Sequence, residues 1–128
     1  MKYEGTKLPD FEPIEKVTQL ELIDRQLGSG EEARAGATVT VHYTGALCKN
    51  GIIFQSSNDM GRSISFGLDK VIAGWTQGVP GMRVGGTRRL VIPADMAYGD
   101  SSPAPNIPAN SDLVFDIDLV DIVSNPQA

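Results

Sequence analysis

Hydrophobic and polar residues alternate with a period of two along most of the chain, which is the pattern of strands that bury one face. The alternation is clearest over residues 38–44, 87–92 and 112–123, and it is weaker or shorter over 17–27, 52–54 and 63–66. β-branched and aromatic residues dominate the clearest runs. The dipeptide Asn50-Gly51 favours a tight turn between two of them. The sequence therefore predicts five to six strands with largely antiparallel pairing.

A single segment, residues 70–77, favours a helix, with Asp69 placed to cap its first turn. Val71, Ile72 and Trp75 would lie on the face that turns towards the sheet. Strands and helices do not alternate as they would in a parallel α/β protein, so we expect an α+β domain. We expect its strands to form a twisted antiparallel half-barrel sheet that wraps around the one short helix.

The N-terminal residues 1–15 contain scattered proline and glycine and show little periodicity. We expect them to form an extended N-terminal arm, and residues 16–128 to form one domain. A chain of 128 residues that is 41% hydrophobic and 21% charged has the size and composition of a single globular unit.

Charge and cysteine content narrow the class of protein further. The net charge of −5 argues against a nucleic-acid partner, and the adjacent pair Arg88-Arg89 is expected on the solvent face of its strand. The single cysteine, Cys48, cannot form an intrachain disulfide, and the N-terminal residues lack the apolar core of a secretory signal. No apolar run approaches the ~20 residues that span a bilayer. We therefore expect a cytoplasmic protein without membrane contact and, in the absence of heptads, a monomer.

Residues with catalytic chemistry are few. Cys48 and His42 are the only candidates for a nucleophile and its base, and the more common interpretation is an apolar filler and a structural histidine. Asp116 and Asp118 could pair as in a glycosidase, but alternation places both on the outer face, where a solvated role is expected. One histidine and one cysteine supply no closed metal site, and no phosphate-binding glycine loop is present. A hydrolase remains a weak alternative, and no metal or cofactor is expected.

Residues 99–111 form a proline-containing loop that is unusually long for a compact domain. We expect the loop to border a binding site, and a tolerated surface insertion is the alternative. The remaining candidates are aromatic and branched side chains, which on composition alone would simply form a core.

Six short motifs, in order along the chain, change that interpretation. They are Val41-His42-Tyr43-Thr44-Gly45, Phe54-Gln55-Ser56-Ser57, Val71-Ile72-Ala73-Gly74-Trp75, Met82-Arg83-Val84-Gly85, Ala97-Tyr98-Gly99 and Leu113-Val114-Phe115-Asp116. With these motifs the chain resembles the FKBP-type peptidyl-prolyl cis/trans isomerase family over residues 20–123. The resemblance implies the half-open sheet around one helix, and an enzyme that rotates X-Pro bonds without a covalent step.

The resemblance also implies an apolar ligand pocket. Tyr98, Phe54 and Gln55 would be the catalytic residues, with the Tyr98 hydroxyl and the Ile72 N–H available to a ligand carbonyl. The binding residues would be Tyr43 and Phe115 as walls together with Phe54, Phe66 beside them, Trp75 as the floor, Val71 and Ile72 as the rim, and Ile107 in a flap above. The implied partners are proline-containing peptides and folded or unfolded client proteins, together with macrolides of the tacrolimus and rapamycin type.

Gln55 departs from the family pattern, which has aspartate at this position. An amide still forms hydrogen bonds but carries no charge, so turnover or macrolide affinity would fall if the carboxylate orients the ligand. The alternative function is therefore a weakly active or inactive binding module, or a chaperone, for proline-containing segments.

Overall fold

The computed structural model describes residues 2–126 and contains six strands and two short helices. The strands are β1 (Glu21–Gln26), β2 (Thr38–Leu47), β3 (Ile53–Ser56), β4 (Ile64–Gly67), β5 (Thr87–Ile92) and β6 (Leu113–Ser124). The helices are α1 (Ser57–Met60) and α2 (Ala73–Gly78), and a 3₁₀ turn covers Ala94–Met96.

All six strands belong to one open antiparallel sheet with the order β1-β5-β6-β2-β3, and β4 pairs with the other part of β2. The long strand β2 pairs with β6 along its whole length and with β3 and β4 in succession on its other side. Bulges in the β2–β6 and β2–β3 ladders bend the sheet. The predicted α+β half-barrel is confirmed, with six strands.

Helix α2, which corresponds to the helix predicted over residues 70–77, begins later than predicted. Asp69 does not cap it, because Asp69 lies in a turn that the Lys70 N–H closes on the Gly67 carbonyl at 3.0 Å. The backbone is still extended at Ile72, which occupies the N-cap position of α2 and makes no side-chain cap. The second helix, α1, was not predicted; it is a single turn capped by the Ser56 hydroxyl, which accepts the Asn58 N–H at 3.2 Å.

A close approach of backbone to sheet fixes α2 against β5. A Cβ at Gly74 would lie 2.6 Å from side-chain atoms of Ile92, a separation that real atoms do not adopt. Only glycine allows this contact. The helix therefore packs tightly on the same sheet face as Leu90 and Ile92, which are both fully buried.

The first strand is shorter than the predicted run of residues 17–27. Val17 is not part of it; its N–H donates to the Asp112 carboxylate at 2.8 Å, and its side chain is buried in a separate cluster. Strand β1 is an edge strand with all six residues exposed, including Leu22 and Ile23.

The N-terminal arm packs on the sheet face opposite α2. Its backbone pairs with the β3 region: the Gly5 N–H donates to the Ile53 carbonyl and the Ile53 N–H donates to Thr6, each at 2.8 Å. Leu8 is buried with Ile53 and neighbouring residues in this second cluster. The expected division into an arm of residues 1–15 and a domain of residues 16–128 stays a prediction, but the described part of the arm lies against the body.

Arg88 and Arg89 do not lie on a solvent face, so that prediction is wrong. Their exposed fractions are 9% and 4%. Arg88 pairs with Asp24 at 2.6 Å across β1 and donates to the Gly78 carbonyl at the end of α2 at 2.8 Å. Arg89 forms a two-point pair with Asp116, with distances of 2.6 and 2.8 Å, because the two residues are register partners on β5 and β6.

Arg89 also holds the arm. Its guanidinium donates to the carbonyl oxygens of Asp10 at 2.6 Å and Pro9 at 3.0 Å, and it lies 5.6 Å from the centre of the Phe11 ring. A desolvated guanidinium whose three nitrogens all donate hydrogen bonds holds its partners strongly. The arm is therefore tied to the sheet by one buried cation.

Candidate active site

A cavity of about 430 Å³ opens between α2, the concave side of the sheet and the segment that contains Tyr98. Aromatic and branched side chains form most of its surface. The lining residues are Tyr43, Phe54, Gln55, Phe66, Lys70, Val71, Ile72, Trp75, Tyr98 and Phe115. Nine of the ten site residues expected from the sequence thus come together in one place.

The aromatic residues pack edge to face around Trp75. The centre of the Trp75 ring lies 5.2 Å from that of Phe66, 5.4 Å from that of Phe115 and 5.6 Å from that of Tyr43, with interplanar angles of 73–89°. Phe54 meets Phe115 in the same way at 5.7 Å. Such arrangements are favoured by the ring quadrupoles and fix the position of each wall relative to the others. The indole N–H of Trp75 is buried and has no hydrogen-bond acceptor among the described residues.

A glycine in β2 allows two of these rings to meet. A Cβ at Gly45 would lie 2.7 Å from Phe115 Cε1 and 2.7 Å from Phe54 Cζ. Both rings therefore lie directly over the Gly45 backbone, and this part of the cavity wall can form only because glycine has no side chain.

The polar groups of the cavity stand at its mouth. Tyr98 is 38% exposed, and its hydroxyl forms no hydrogen bond within residues 2–126. Burial raises the pKa of Tyr43 above its ordinary value of 10.0, and the neighbouring Tyr98 phenol raises it further. At neutral pH Tyr43 is thus a neutral phenol. The Ile72 N–H, at the start of α2, likewise has no acceptor among the described residues.

Ile107 does not line this cavity, unlike the other predicted binding residues. It is buried in the main core, and its N–H closes a short turn on the Ala104 carbonyl at 3.0 Å. The loop of residues 99–111 is held to the cavity wall by Asn106, whose side-chain amide donates to the Phe54 carbonyl at 2.9 Å. The loop is therefore attached to the cavity wall through the Phe54 backbone, but none of residues 99–111 lines the cavity, and the role expected for the loop stays a prediction.

Gln55 projects from β3 with an exposed side chain and lies at the cavity edge next to Phe54. Its amide makes no hydrogen bond to the residues that the structure describes. Lys70 is the one lining residue that was not expected from the sequence; it is exposed on the turn before α2. Its only sequence signal was its position next to the Val71-Ile72 motif.

The described residues do not support the alternative of a hydrolase that uses Cys48 and His42. Cys48 is fully buried, and burial, with smaller contributions from Asp112 and Glu21, raises the pKa of its thiol to about 12. His42 instead contacts the buried Ser57 hydroxyl at 3.0 Å.

Asp116 and Asp118 lie on the outer face of β6, as expected, but Asp116 is paired with Arg89 rather than freely solvated. Asp118 is exposed and accepts a hydrogen bond from the Thr87 hydroxyl at 2.7 Å. Within residues 2–126, no three His, Cys, Asp or Glu side chains converge as a metal-binding group. The same residues include no helix of the length and hydrophobicity needed to cross a bilayer.

An open antiparallel sheet with an aromatic cavity beside one short helix is the fold of a known class of isomerases. The crystal structure of FkpA from Escherichia coli matches the chain with a TM-score of 0.75 and 39% sequence identity, covering 88% of this chain and 54% of that one. The family model for FKBP-type peptidyl-prolyl cis-trans isomerases matches residues 29–120. The chain belongs to this family, and the resemblance and the enzyme class predicted from the motifs are confirmed.

Two relatives show how far the similarity extends. The peptidyl-prolyl cis-trans isomerase FPR2 of Saccharomyces cerevisiae is 48% identical over 95 residues, which are 73% of this chain and 70% of that protein. FK506-binding protein 3 of Eremothecium gossypii is 46% identical over 121 residues, which are 91% of this chain but 28% of that protein. The chain thus spans most of one relative and less than a third of the other.

Proposed function

We propose that this cavity binds a proline-containing segment and accelerates rotation about its X-Pro bond, with Tyr98, Phe54 and Gln55 closest to the reacting peptide. The observation that carries the proposal is the combination of an apolar, aromatic-walled cavity with an unpaired phenol at its mouth. The described side chains that line it include no cysteine, serine, histidine or carboxylate. The proposed reaction needs none, because no covalent bond is made or broken.

The chemistry follows from the electronic structure of the amide. Rotation over the ~18–20 kcal/mol barrier breaks amide resonance, so the twisted state has a smaller dipole than either planar isomer. An apolar cavity disfavours the polar planar state more than the twisted one, and that difference lowers the barrier. Tyr98 would hold the carbonyl, and the Ile72 N–H would offer a second donor at the rim. Each ~1.4 kcal/mol of such preference gives about tenfold in rate.

The test is the exchange rate between cis and trans forms of a short Ala-Pro peptide, followed by NMR exchange without a coupled protease. We expect acceleration by the wild type and a two- to tenfold lower kcat/KM for Tyr98→Phe, roughly the value of one neutral hydrogen bond. Tyr3→Phe is the matched control, since Tyr3 is an exposed tyrosine outside the cavity.

Two results would count against the proposal. Peptide binding without any acceleration would make the protein a binding module for proline-containing segments. A loss of several orders of magnitude in Tyr98→Phe would show that the phenol does chemistry that a hydrogen bond cannot explain.

The same cavity is proposed to bind macrolides of the tacrolimus and rapamycin type. The name of the FK506-binding relative from Eremothecium gossypii supports this, as does an apolar volume lined by Trp75. Titration followed by Trp75 fluorescence would measure the affinity, with Gln55→Asp alongside. We expect tighter binding in Gln55→Asp if a carboxylate orients the ligand, and unchanged binding would show that the amide serves as well.

Assistance in protein folding is proposed from the same activity. Slow X-Pro isomerisation limits the refolding of many chains, so an isomerase should shorten that phase for client proteins. The measurement is the refolding rate of a proline-limited protein with wild type and Tyr98→Phe. A cytoplasmic location and a monomeric state are also proposed. The free, buried thiol of Cys48 supports a reducing compartment and has no bearing on the oligomeric state.

A further inference from the structure

A second cavity of about 350 Å³ lies directly beside the proposed active site and shares Phe54 and Gln55 with it; we name it the side groove. Its apolar lining includes Met60 from α1 and Ala104 and Ile107 from the long loop. Because Phe54 and Gln55 line both cavities, the side groove lies next to the place where the proline would bind.

The rim of the side groove is acidic and is built partly by the N-terminal arm. The Asp59 carboxylate, on α1, accepts the backbone N–H of Tyr3 at 2.6 Å and that of Glu4 at 2.9 Å. The Tyr3 hydrogen bond holds the pKa of Asp59 below its ordinary value, so this carboxylate is charged at neutral pH. These two bonds place the Glu4 side chain in the lining of the groove.

The loop closes the groove from the other side. The Asn106 amide donates to the Phe54 carbonyl at 2.9 Å and to Glu4 Oε2 at 3.4 Å. Arm, helix and loop therefore meet at one place, although Asp59 is 55 residues and Asn106 is 102 residues from Glu4 in the sequence. The groove combines a fixed apolar floor with two carboxylates at its edge.

We propose that the side groove binds a substrate residue flanking the proline, and that Glu4 and Asp59 select lysine or arginine there. The inference rests on the proposed isomerase function and names its substrate preference. Lysine and arginine fit because their aliphatic stems cover apolar surface while the cationic end stays at the polar edge. The groove offers an apolar floor to the aliphatic stem and two carboxylates, Glu4 and Asp59, to the cationic end.

One protein cation already lies nearby. Lys2 Nζ is 3.9 Å from Glu4 Oε1, but the two side chains are 72% and 45% exposed. An exposed pair of this kind contributes little, so a substrate cation that also gains apolar contact can replace it.

The experiment compares Ala-Pro peptides that carry Lys, Ala or Glu next to the core, before the proline in one series and after it in another. For each peptide, kcat/KM is measured by NMR exchange and Kd by Trp75 fluorescence. We expect Lys to be preferred over Glu by about two- to fivefold in at least one series, the range of an exposed ion pair. Glu4→Gln should bring that ratio towards one, and Glu4→Lys should reverse it.

The matched control is Glu12→Gln, because Glu12 is an exposed acid on the arm outside the lining of the groove. It removes the same charge from a chain of net charge −5 and should leave the ratio unchanged, which separates the groove from general attraction of cations.

Equal rates and affinities for Lys and Glu peptides, with the Ala peptide still accelerated, would overturn the groove assignment and leave the isomerase intact. A ratio that falls equally in Glu4→Gln and Glu12→Gln would overturn it as well. If no peptide is accelerated, the proposed function fails, and the affinities alone still decide whether the groove selects cations.

Discussion

Replacing Gly45 with alanine should damage the cavity through two of its walls at once. The new Cβ would lie 2.7 Å from ring atoms of both Phe54 and Phe115, whereas carbon atoms in contact are ~3.5–4.0 Å apart. Both rings would have to move by about 1 Å, and because both line the cavity, this movement would change the shape of its wall. Overpacking of this kind costs roughly 1–3 kcal/mol.

The effect on activity should exceed the effect on stability. Because the two rings wall the peptide site, a shift of about 1 Å should lower kcat/KM by roughly ten- to a hundredfold. The midpoint temperature of thermal unfolding, Tm, should fall by roughly 3–5 °C for each kcal/mol of stability lost in a domain of this size. The assays are NMR exchange on the Ala-Pro peptide and calorimetry on the same preparations.

The matched control is Gly36→Ala. Gly36 has a φ of +81°, so alanine there is strained by about 1–2 kcal/mol, but its Cβ would meet only Pro126 Cγ, at an ordinary 3.6 Å. This variant should lose stability and keep its activity. A Gly45→Ala protein with wild-type stability and wild-type kcat/KM would refute the described packing of the rings.

Three further outcomes are expected. Arg89→Met removes the partner of Asp116 and the hydrogen bonds that hold the arm, and should lower the free energy of unfolding in urea by roughly 2–4 kcal/mol; the loss is smaller than for a fully buried pair because the Asp116 side chain is 30% exposed. Arg25→Met loses only a 3.4 Å hydrogen bond and should leave the free energy of unfolding almost unchanged, so equal losses in the two variants would contradict the role of Arg89. With its pKa raised to about 12, only about one Cys48 thiol in 10⁴ is ionised at pH 8, so iodoacetamide should label the native protein slowly and leave activity intact, whereas rapid labelling with inactivation would revive the thiol chemistry. Between about pH 6 and 9 kcat/KM should be flat, because burial raises the pKa of Tyr43 above 10.0 and so keeps its phenol neutral in this window; a step in the rate profile between these limits would contradict this.

The strands and the aromatic site were predictable because their signals are local. Alternation places Phe115, Ile117 and Leu119 on one face of β6, and the structure buries all three. The family motifs were enough to predict that Tyr43 and Trp75 line one cavity, although the tertiary contacts were not known.

What could not be predicted depends on partners that are distant in sequence. Arg88 and Arg89 look like surface residues until Asp24 and Asp116 become their neighbours on adjacent strands. The start of α2 was misplaced because Asp69 favours a turn as readily as a helix cap. Glu4 gave no local sign of a role, since its position depends on Asp59, 55 residues away.

In the proposed function the cavity accelerates rotation of X-Pro bonds by its environment, with no proton transferred in the rate-limiting step. The most direct measurement is wild-type kcat/KM for the Ala-Pro peptide in H₂O and in D₂O. We expect clear acceleration in both solvents and a ratio close to one. A ratio of about two or more would indicate that a proton is transferred in the rate-limiting step, and the absence of acceleration would contradict the proposed isomerase activity.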